Sequence, residues 1–335
     1  MSTGKPVRAG EALKKITVAD EALSLIIHRD DREKGISKRQ FRRVEAIANA
    51  KAAREDRQQQ TGYNSRPFVL CGLPIRRPKA GTFVHIRQNG AYTLRITGDP
   101  EFGLPFGQDR LIPIWVATRA VRTNSRRVHF ENVVEILDEF GLPCDGPHYR
   151  RLREGFDRIF YSTIFFGTDE QTETHVFVKR RSYRFFNEID LWYARNPSQQ
   201  SLPSKFENTV QLSEEFWSEL QQHKIPVDMY AVRALASSSG CLDFYCWLVW
   251  RCFTASSKGS NVPLYGPSSL HQQLGSSAGM TERNFRRQIR TWLSITQQLW
   301  PQCPATLSKD GKVLSAKNGH AILGDPRSGD LRQTQ

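Results

Sequence analysis

Hydrophobic positions recur at helical spacing in two long segments of the chain. In the segment that begins at Thr281, one stripe of a helix is formed by Phe285, Ile289, Trp292, Leu293 and Thr296. The segment HYRRLREGFDRIFYSTIFF has a similar stripe, formed by Leu152, Phe156, Ile159, Phe160 and Thr163. We expect both helices to bury this face, and we expect Thr281 to be the N-cap of the later helix.

Two other segments carry hairpin signals. The run FVHIRQNGAYTLRI alternates apolar and polar residues around Asn89 and Gly90, and Asn-Gly is a strong signal for a tight hairpin turn. The run SKDGK places Asp310 and Gly311 between two further short strands. The sequence therefore predicts a hairpin at each of these places.

One block of elements occurs twice, offset by about 130 residues. The first copy runs LIPIWVATRAVRTNS, RRVHF, ENVVEILDEFGL, HYRRLREGFDRIFYSTIFF, and then alternating residues from Thr174 to Tyr193. The second copy runs CLDFYCWLVWRCFTASS, NVPLYG, PSSLHQQLGS, the helix from Thr281, and ATLSKDGKVLSAK. Helix, strand, helix, longer helix and β-ribbon is the element order of a winged helix.

We therefore predict an α+β, mainly helical fold with tandem winged-helix domains. The predicted parts are a basic arm over residues 1–66, domains over 67–200 and 201–325, and a tail over 326–335, with a linker at 196–205. The arm is expected to be helical or partly disordered. Ala12 to Ile27 is predicted to form an amphipathic helix, whereas the basic stretch from Ser37 has too few apolar residues to bury a face alone.

The charge balance indicates an anionic partner. The chain has 48 Lys+Arg against 34 Asp+Glu, a net charge of +14 and a pI near 9.7. Such a field attracts polyanions, and double-stranded DNA is the leading candidate. The most apolar runs are short or interrupted by charge, and the N-terminus lacks the apolar block of a secretory signal. We therefore expect a cytoplasmic protein without a membrane partner.

The strongest candidate for reading DNA is the helix from Thr281. Opposite its apolar stripe it presents a ridge that contains Arg283, Asn284, Arg287 and Arg290, with Arg286 at the border. Arginine suits bidentate contacts with guanine, and asparagine suits adenine. A charged ridge is often only a solvated face. Here Glu282 alone offsets the arginines, and the SKDGK turn adds Lys309 and Lys312, with Lys317 beyond, as phosphate contacts.

We predict that the first copy contributes less to the recognition of DNA bases than the second copy does. Its helix exposes a mixed face of Arg150, Arg153, Glu154, Asp157 and Arg158, which suits structure or phosphate contact better than base readout. Its ribbon carries KRRSYR, with Lys179, Arg180 and Arg181. Either this ribbon lies on the DNA backbone or it helps to form a dimer sheet, and the sequence leaves both open.

No motif in the sequence indicates a cofactor, a metal or a catalytic site. There is no GxxxxGK[ST] loop, CxxC pair, His-x-His pair, GxSxG or HExxH. Cys241, Cys246 and Cys252 lie among apolar residues and are interpreted as core residues. We expect no enzymatic activity.

One enzymatic pattern is a chance-level alternative. His148 and Arg151 match the HxxR of tyrosine recombinases. The upstream and downstream partners of that pattern would be Arg119 or Arg122, and Tyr161, Tyr183 or Tyr193. The buried stripe of the same helix already explains this segment, so a recombinase is the least favoured hypothesis.

Several segments in order resemble a known family. GLPFGQDRLIPIWVATRAVRTNS, EILDEFGL, RLREGFDRIF and the block from VQLSEEFW to WLVWRCF are similar to plasmid-encoded RepA-type replication initiators, over about residues 83–321. The resemblance implies binding to direct repeats (iterons) of a plasmid origin, opening of a neighbouring A·T-rich segment, and recruitment of the host initiator and replicative helicase. The arm lies outside it.

The sequence therefore predicts a non-enzymatic plasmid replication initiator. The predicted partners are double-stranded DNA of the origin repeats, the host initiator and helicase, and a second copy of the chain. A plasmid-borne transcriptional repressor or copy-control protein with the same fold is the alternative, and the recombinase comes third. Recruitment of the helicase separates the first two.

Overall fold

The fold mixes helices and strands. The computed structural model describes residues 38–56, 59–171, 176–192, 207–256, 258–274 and 280–318. The helices are α1 (Lys38–Glu55), α2 (Arg66–Leu70), α3 (Leu111–Thr123), α4 (Val134–Glu139), α5 (Gly146–Phe160), α6 (Glu214–His223), α7 (Met229–Leu235), α8 (Ser239–Thr254), α9 (Leu270–Leu274) and α10 (Glu282–Leu299), with a 3-10 helix at Gly107–Arg110. The predicted helix from Ala12 to Ile27 lies outside the described residues.

The strands of the described residues form four antiparallel sheets. The strands are β1 (Thr61–Ser65), β2 (Val84–Asn89), β3 (Tyr92–Thr97), β4 (Arg127–Phe130), β5 (Thr163–Gln171), β6 (Val176–Tyr183), β7 (Phe186–Asp190), β8 (Asn208–Leu212), β9 (Lys224–Asp228), β10 (Ser260–Pro263), β11 (Ala305–Leu307) and β12 (Val313–Ala316). Their orders are β1-β9, β2-β3-β5-β6, β4-β8-β7 and β10-β12-β11.

Both predicted hairpins are present. β2 and β3 pair in a register that runs from Val84 opposite Thr97 to Asn89 opposite Tyr92. Gly90 in the turn between them has φ +58°. β11 and β12 pair around a turn in which Gly311 has φ +67°. A positive φ is open to glycine with little strain, which explains why the turns contain it.

The duplicated block is visible in the strand order. In the first copy β4 pairs with β8 and β8 with β7, and in the second copy β10 pairs with β12 and β12 with β11. In each sheet the strand that comes first in sequence therefore pairs with the strand that comes last. The strand that lies between them in sequence is at the opposite edge of the sheet. The two sheets have the same topology.

The ribbon of the first copy differs from the prediction. The expected ribbon at 174–193 spans β6 and β7, but β6 pairs with β5 in the separate four-stranded sheet. The strands that complete the sheet of β4 are β7 and β8, so the predicted linker at 196–205 lies between two strands of one sheet. The division of the chain at residue 200 stays a prediction, and β8 belongs to the first copy's sheet.

The described part of the predicted arm is packed into the fold. α1 buries Val44, Ile47, Ala50 and Ala53, and it packs against α7 and α10. β1 pairs with β9, and the backbone N–H of Tyr63 donates to the Thr118 hydroxyl of α3 at 2.9 Å. The few apolar residues of α1 suffice because two other helices cover them.

The two copies share a hydrophobic core and a pair of buried charges in the 3-10 helix. Arg158 of α5 binds Asp109 through two hydrogen bonds of 2.7 and 2.9 Å. The next residue, Arg110, binds Asp243 of α8, and burial raises the pKa of Asp243 while Arg110 opposes that shift. All four side chains are buried. The 3-10 helix therefore binds α5 of the first copy through one buried ion pair and α8 of the second copy through another.

A half-buried histidine, His85, lies where β2 meets the second copy. The ring of His85 is 2.9 Å from the carbonyl oxygen of Gly72, and the N–H of Gly72 donates to the Gln273 carbonyl oxygen of α9 at 3.2 Å. Burial lowers the pKa of His85 from 6.5 to about 4. The imidazole is therefore neutral at neutral pH, and its protonation opposes folding.

We expect Asp109→Ala to lower the free energy of unfolding by about 3 to 5 kcal/mol, because it removes the buried counterion of the Arg158 guanidinium and leaves only the exposed Glu154 carboxylate, 3.5 Å away. Urea denaturation followed by tryptophan fluorescence measures this change. Glu282→Ala removes a partner from a half-exposed pair on the helix surface and should change stability by less than about 1 kcal/mol. Equal losses in the two variants would contradict a structural role for the Asp109–Arg158 pair.

We expect wild-type stability to fall more steeply than that of His85→Gln as the pH drops from 6.5 towards 4. The unfolded chain binds a proton at His85 near pH 6.5, whereas the folded chain binds it only near pH 4. The stabilisation that the neutral His85 imidazole provides is therefore complete above pH 6.5. Below pH 6.5 the free energy of unfolding falls by up to about 1.4 kcal/mol per pH unit. Urea denaturation at several pH values tests this, and parallel pH profiles for the two proteins would contradict it.

Candidate nucleic-acid interface

α10 forms as the hydrophobic period predicts. The hydroxyl of Thr281 accepts from the backbone N–H of Asn284 at 3.4 Å, which confirms the predicted N-cap. The five residues of the predicted stripe are all buried: Phe285, Ile289, Trp292, Leu293 and Thr296. This face packs against α8, where Gly240 leaves room for the Trp292 ring. The helix is therefore anchored from behind along most of its length.

The opposite face of α10 is a cationic ridge. Arg283, Asn284, Arg287 and Arg290 are exposed, and in the described part of the chain no carboxylate pairs with these three arginines. Arg286 differs, because it is half-buried and lies 3.1 Å from the Glu282 carboxylate. The ridge thus keeps three guanidinium groups available to an anionic ligand.

The turn between β11 and β12 carries the predicted lysines. The hydroxyl of Ser308 donates to the Asp310 carboxylate at 2.6 Å, and the backbone N–H of Lys312 donates to the same oxygen at 3.1 Å. These hydrogen bonds lower the pKa of Asp310. They also hold the turn in one conformation. Lys309 and Lys312 at the turn are exposed, and so is Lys317 beyond β12.

The ridge and the turn meet at Arg290. A methyl group built on Gly311 would lie 2.5 Å from a terminal nitrogen of the Arg290 guanidinium. The guanidinium therefore lies directly against the backbone of the turn. The arginines of α10 and the lysines of the β11–β12 turn form one continuous surface, which we call the α10 surface.

The sequence does not predict an aromatic cluster that lies at the start of α10. The Tyr265 hydroxyl donates to the Met280 carbonyl oxygen at 3.2 Å, and its ring lies tilted, 4.6 Å from that of His271. His271 in turn meets Phe285 edge-on at 4.9 Å. Only the tertiary packing brings these rings together. The cluster connects the residue before the N-cap to the buried face of α10.

The corresponding helix of the first copy, α5, has a different outer face. Arg150 and Arg153 are exposed as expected. Arg158 is a correction: the sequence predicts it on the exposed face, but the structure buries it against Asp109. Its guanidinium also lies 4.7 Å from the Phe106 ring. Because its charge and donors are used inside the protein, we remove Arg158 from the DNA contacts.

The basic ribbon is described only in part. Lys179 and Arg180 lie in β6, but their side chains are outside the described part of the structure. Arg181 is exposed, and its guanidinium lies 3.9 Å from the buried Glu219 carboxylate. Arg66 binds the same carboxylate at 2.8 and 3.1 Å. The ribbon's role in DNA contact or self-association stays a prediction.

The HxxR residues make local contacts. The His148 ring lies 2.6 Å from the Asp145 carboxylate that caps α5, and Arg151 donates to Gln108 at 3.1 Å. Tyr161 stacks on Phe102 at 4.3 Å. Of the remaining residues of the pattern, Arg119 pairs with Glu135 and Glu139, Arg122 donates to the Thr61 carbonyl oxygen, Tyr183 is buried, and Tyr193 is outside the described residues.

Two other predictions concern metals and membranes. Among the described residues, no three or more His, Cys, Asp or Glu side chains are grouped so that they could hold a metal ion. Within the same residues, no helix has the length and apolar character needed to cross a bilayer.

Cys241, Cys246 and Cys252 are buried, as the sequence predicts, and burial raises the pKa of the Cys246 thiol to about 12.

Comparisons with known proteins identify relatives of the central region. The family model described as plasmid encoded RepA protein matches residues 104–265. No curated protein matches the chain. A crystal structure of domains 2 and 3 of RctB, as a selenomethionine derivative, is 13% identical with a TM-score of 0.47, over 68% of this chain and 85% of that one.

A second structure of RctB domains 2–3 is 13% identical with a TM-score of 0.42, over 74% of this chain and 94% of that one. These TM-scores are too low for either likeness to support an argument about fold or function. The family match covers α3 to β10, the region in which several of the recognised segments lie. Within residues 104–265 the match confirms the resemblance predicted from the sequence, and this region is similar to the plasmid-encoded RepA family.

Proposed function

We propose that this protein is a plasmid replication initiator that binds the direct repeats of its origin through the α10 surface. The family match supports a role in replication initiation. The observation that carries the DNA-binding part is the contact of Arg290 with Gly311, because it joins the arginine ridge and the lysine turn into one cationic surface. A helix flanked by a basic turn matches the width and charge of a major groove and its phosphates.

We further propose that each copy is a winged helix. Two observations support this: the element order helix, strand, helix, longer helix and two strands, and the strand order in which the first strand pairs with the last. In this interpretation α10 is the recognition helix, and the β11–β12 turn is the wing of the second copy. By strand order, β7 and β8 of the first copy correspond to β11 and β12 of the second.

The side chains of the α10 surface divide into two roles. Arg283, Asn284, Arg287 and Arg290 are exposed along the ridge and are proposed to contact base edges. Lys309, Lys312 and Lys317 are proposed to contact phosphates, as is Arg286 if it exchanges its Glu282 partner for DNA. The fixed geometry of the turn keeps the lysines at one distance from the ridge.

The first copy is proposed to contact the DNA backbone and to provide self-association. Arg150 and Arg153 on α5 and the ribbon of β6 supply the charge for this contact. Several copies bound side by side would bend the origin, and their summed contacts offset a deformation of a few kcal/mol and favour opening of an A·T-rich segment. The protein acts by binding, and the host initiator and replicative helicase are its proposed partners.

We expect Arg287→Ala to weaken binding to origin DNA by about 1 to 3 kcal/mol and to relax the preference at one base position. The measurement is equilibrium binding to the repeats beside the gene and to single-base variants of them. Arg127→Ala is the control, because Arg127 is exposed but bound to Glu188 on the first copy's sheet. Unchanged affinity for all sequences would contradict a role for Arg287 in DNA contact.

The same variant separates the initiator from a repressor. A plasmid that carries the origin and encodes Arg287→Ala should fail to replicate, and wild-type protein supplied from a second replicon should restore it. A repressor predicts the opposite result, since a loss of DNA binding would raise expression or copy number. Unimpaired replication together with raised expression would overturn the proposed function.

We expect Gly311→Ala to weaken DNA binding more than Gly90→Ala does. Each glycine has a positive φ in a hairpin turn, so each substitution should lower stability by about 1 to 2 kcal/mol. At Gly311 the added methyl group also displaces the Arg290 guanidinium. At Gly90 no atom of the described residues lies within 4 Å of the position that the added methyl group would occupy. Thermal denaturation and DNA binding measure the two effects, and equal affinities would contradict the importance of the Arg290 contact.

A further inference from the structure

The longest acid-free segment of the sequence lies outside the α10 surface. Residues 57–98 contain seven Lys and Arg but no Asp or Glu. In a chain with 34 acidic residues, this segment carries positive side-chain charge and no negative side-chain charge of its own. Its charge is therefore a feature of this segment and not only of the overall composition.

Two of these cations have partners inside the protein. Arg66 binds the buried Glu219 carboxylate through two hydrogen bonds. Arg87 is half-buried in β2, close to Asp243 and His271. In contrast, Arg76, Arg77 and Lys79 are exposed, and in the described part of the chain no carboxylate pairs with them. We call residues 74–83, which connect α2 to β2, the basic loop.

The basic loop is anchored at its base. The carbonyl oxygen of Pro74 accepts from the N–H of Gly107 at 2.9 Å and from the Arg110 guanidinium at 2.9 Å. At the other end, the N–H of Thr82 donates to the Lys79 carbonyl oxygen at 3.1 Å, and Gly81 has φ +78°. The backbone of the basic loop is therefore bound to the 3-10 helix at Pro74 and closes in a turn from Lys79 to Thr82.

The anchored loop lies beside the second copy. The Ile75 side chain would be 2.8 Å from a methyl group built on Gly240 of α8, and the Trp292 ring of α10 would be 2.5 Å from the same methyl group. Gly72, just before the loop, donates to the Gln273 carbonyl oxygen of α9. Gly72 and Ile75 therefore fix the base of the basic loop against α8, α9 and the buried side of α10.

We propose that the basic loop is a second DNA contact, in which Arg76, Arg77 and Lys79 bind backbone phosphates next to the bases read by α10. This rests on the proposed function. Duplex DNA is the occupant that the observations favour, because the loop is fixed to the helices behind the α10 surface and carries the sign of charge that phosphates require. An exposed loop without aromatic side chains between its cations suits phosphate contact and not base readout.

The test compares two variants that remove the same charge. Arg76→Gln/Arg77→Gln neutralises two exposed arginines of the loop, and Arg126→Gln/Arg127→Gln neutralises two neighbouring arginines bound to Glu214 and Glu188. The full-length proteins are titrated with duplex origin DNA at several salt concentrations. Removal of two phosphate contacts should reduce the slope of log K against log[salt] by about 2. The control variant should keep the wild-type slope.

Each outcome has one meaning. A reduced slope in the loop variant alone, with lost protection of phosphates beside the α10 site in a hydroxyl-radical footprint, supports the proposal. Equal slopes in the loop variant and the control overturn it, and so does a change confined to self-association. If wild-type protein itself fails to bind the duplex, the proposed function fails, which separates that result from failure of the loop alone.

Discussion

The buried charges of the 3-10 helix set the relation between the two copies. Asp109 and Arg110 are adjacent in sequence, yet Asp109 binds Arg158 of the first copy and Arg110 binds Asp243 of the second. A buried charge without a partner is strongly destabilising, so each ion pair strongly favours one position of its helix relative to this turn. Because α5 and α8 are held by the same turn, neither copy can rotate independently without breaking a buried pair.

This constraint also explains why the two long helices differ on their outer faces. α5 uses Arg158 to bind the 3-10 helix and Arg151 to contact Gln108, so part of its charge is directed inward. α10 is held by its apolar face against α8 and needs no charged group for anchoring. The arginines of its ridge therefore stay available. The charged groups of α5 thus include one that attaches the helix, whereas those on the ridge of α10 are exposed.

Local signals predicted α10 and the two hairpins, while long-range contacts accounted for what was missed. The stripe from Phe285 to Thr296 and the Asn89–Gly90 turn depend on neighbouring residues alone. Arg158 was misplaced because its partner lies 49 residues away, beyond any helical period. The pairing of β8 with β4 was hidden for the same reason, since the Pro- and Ser-containing stretch between β7 and β8 has the composition of a linker. The helical period correctly predicts that Arg290 lies on the ridge. Its contact with Gly311 is not predicted, because it depends on the β11–β12 turn folding against α10.

Under the proposed function, the rigid connection between the copies would affect how the DNA of the origin is deformed. If both copies contact one duplex, the spacing of their surfaces is fixed by the buried pairs, and the protein cannot adjust it. Any mismatch between that spacing and straight DNA must then be taken up by the DNA. Smoothly bending a site of about 20 to 30 bp by roughly 40 to 90° requires about 1 to 6 kcal/mol by elastic estimates, and pyrimidine–purine steps such as TA deform most readily. The same ion pairs that stabilise the fold would in this way direct binding energy into distortion of the duplex.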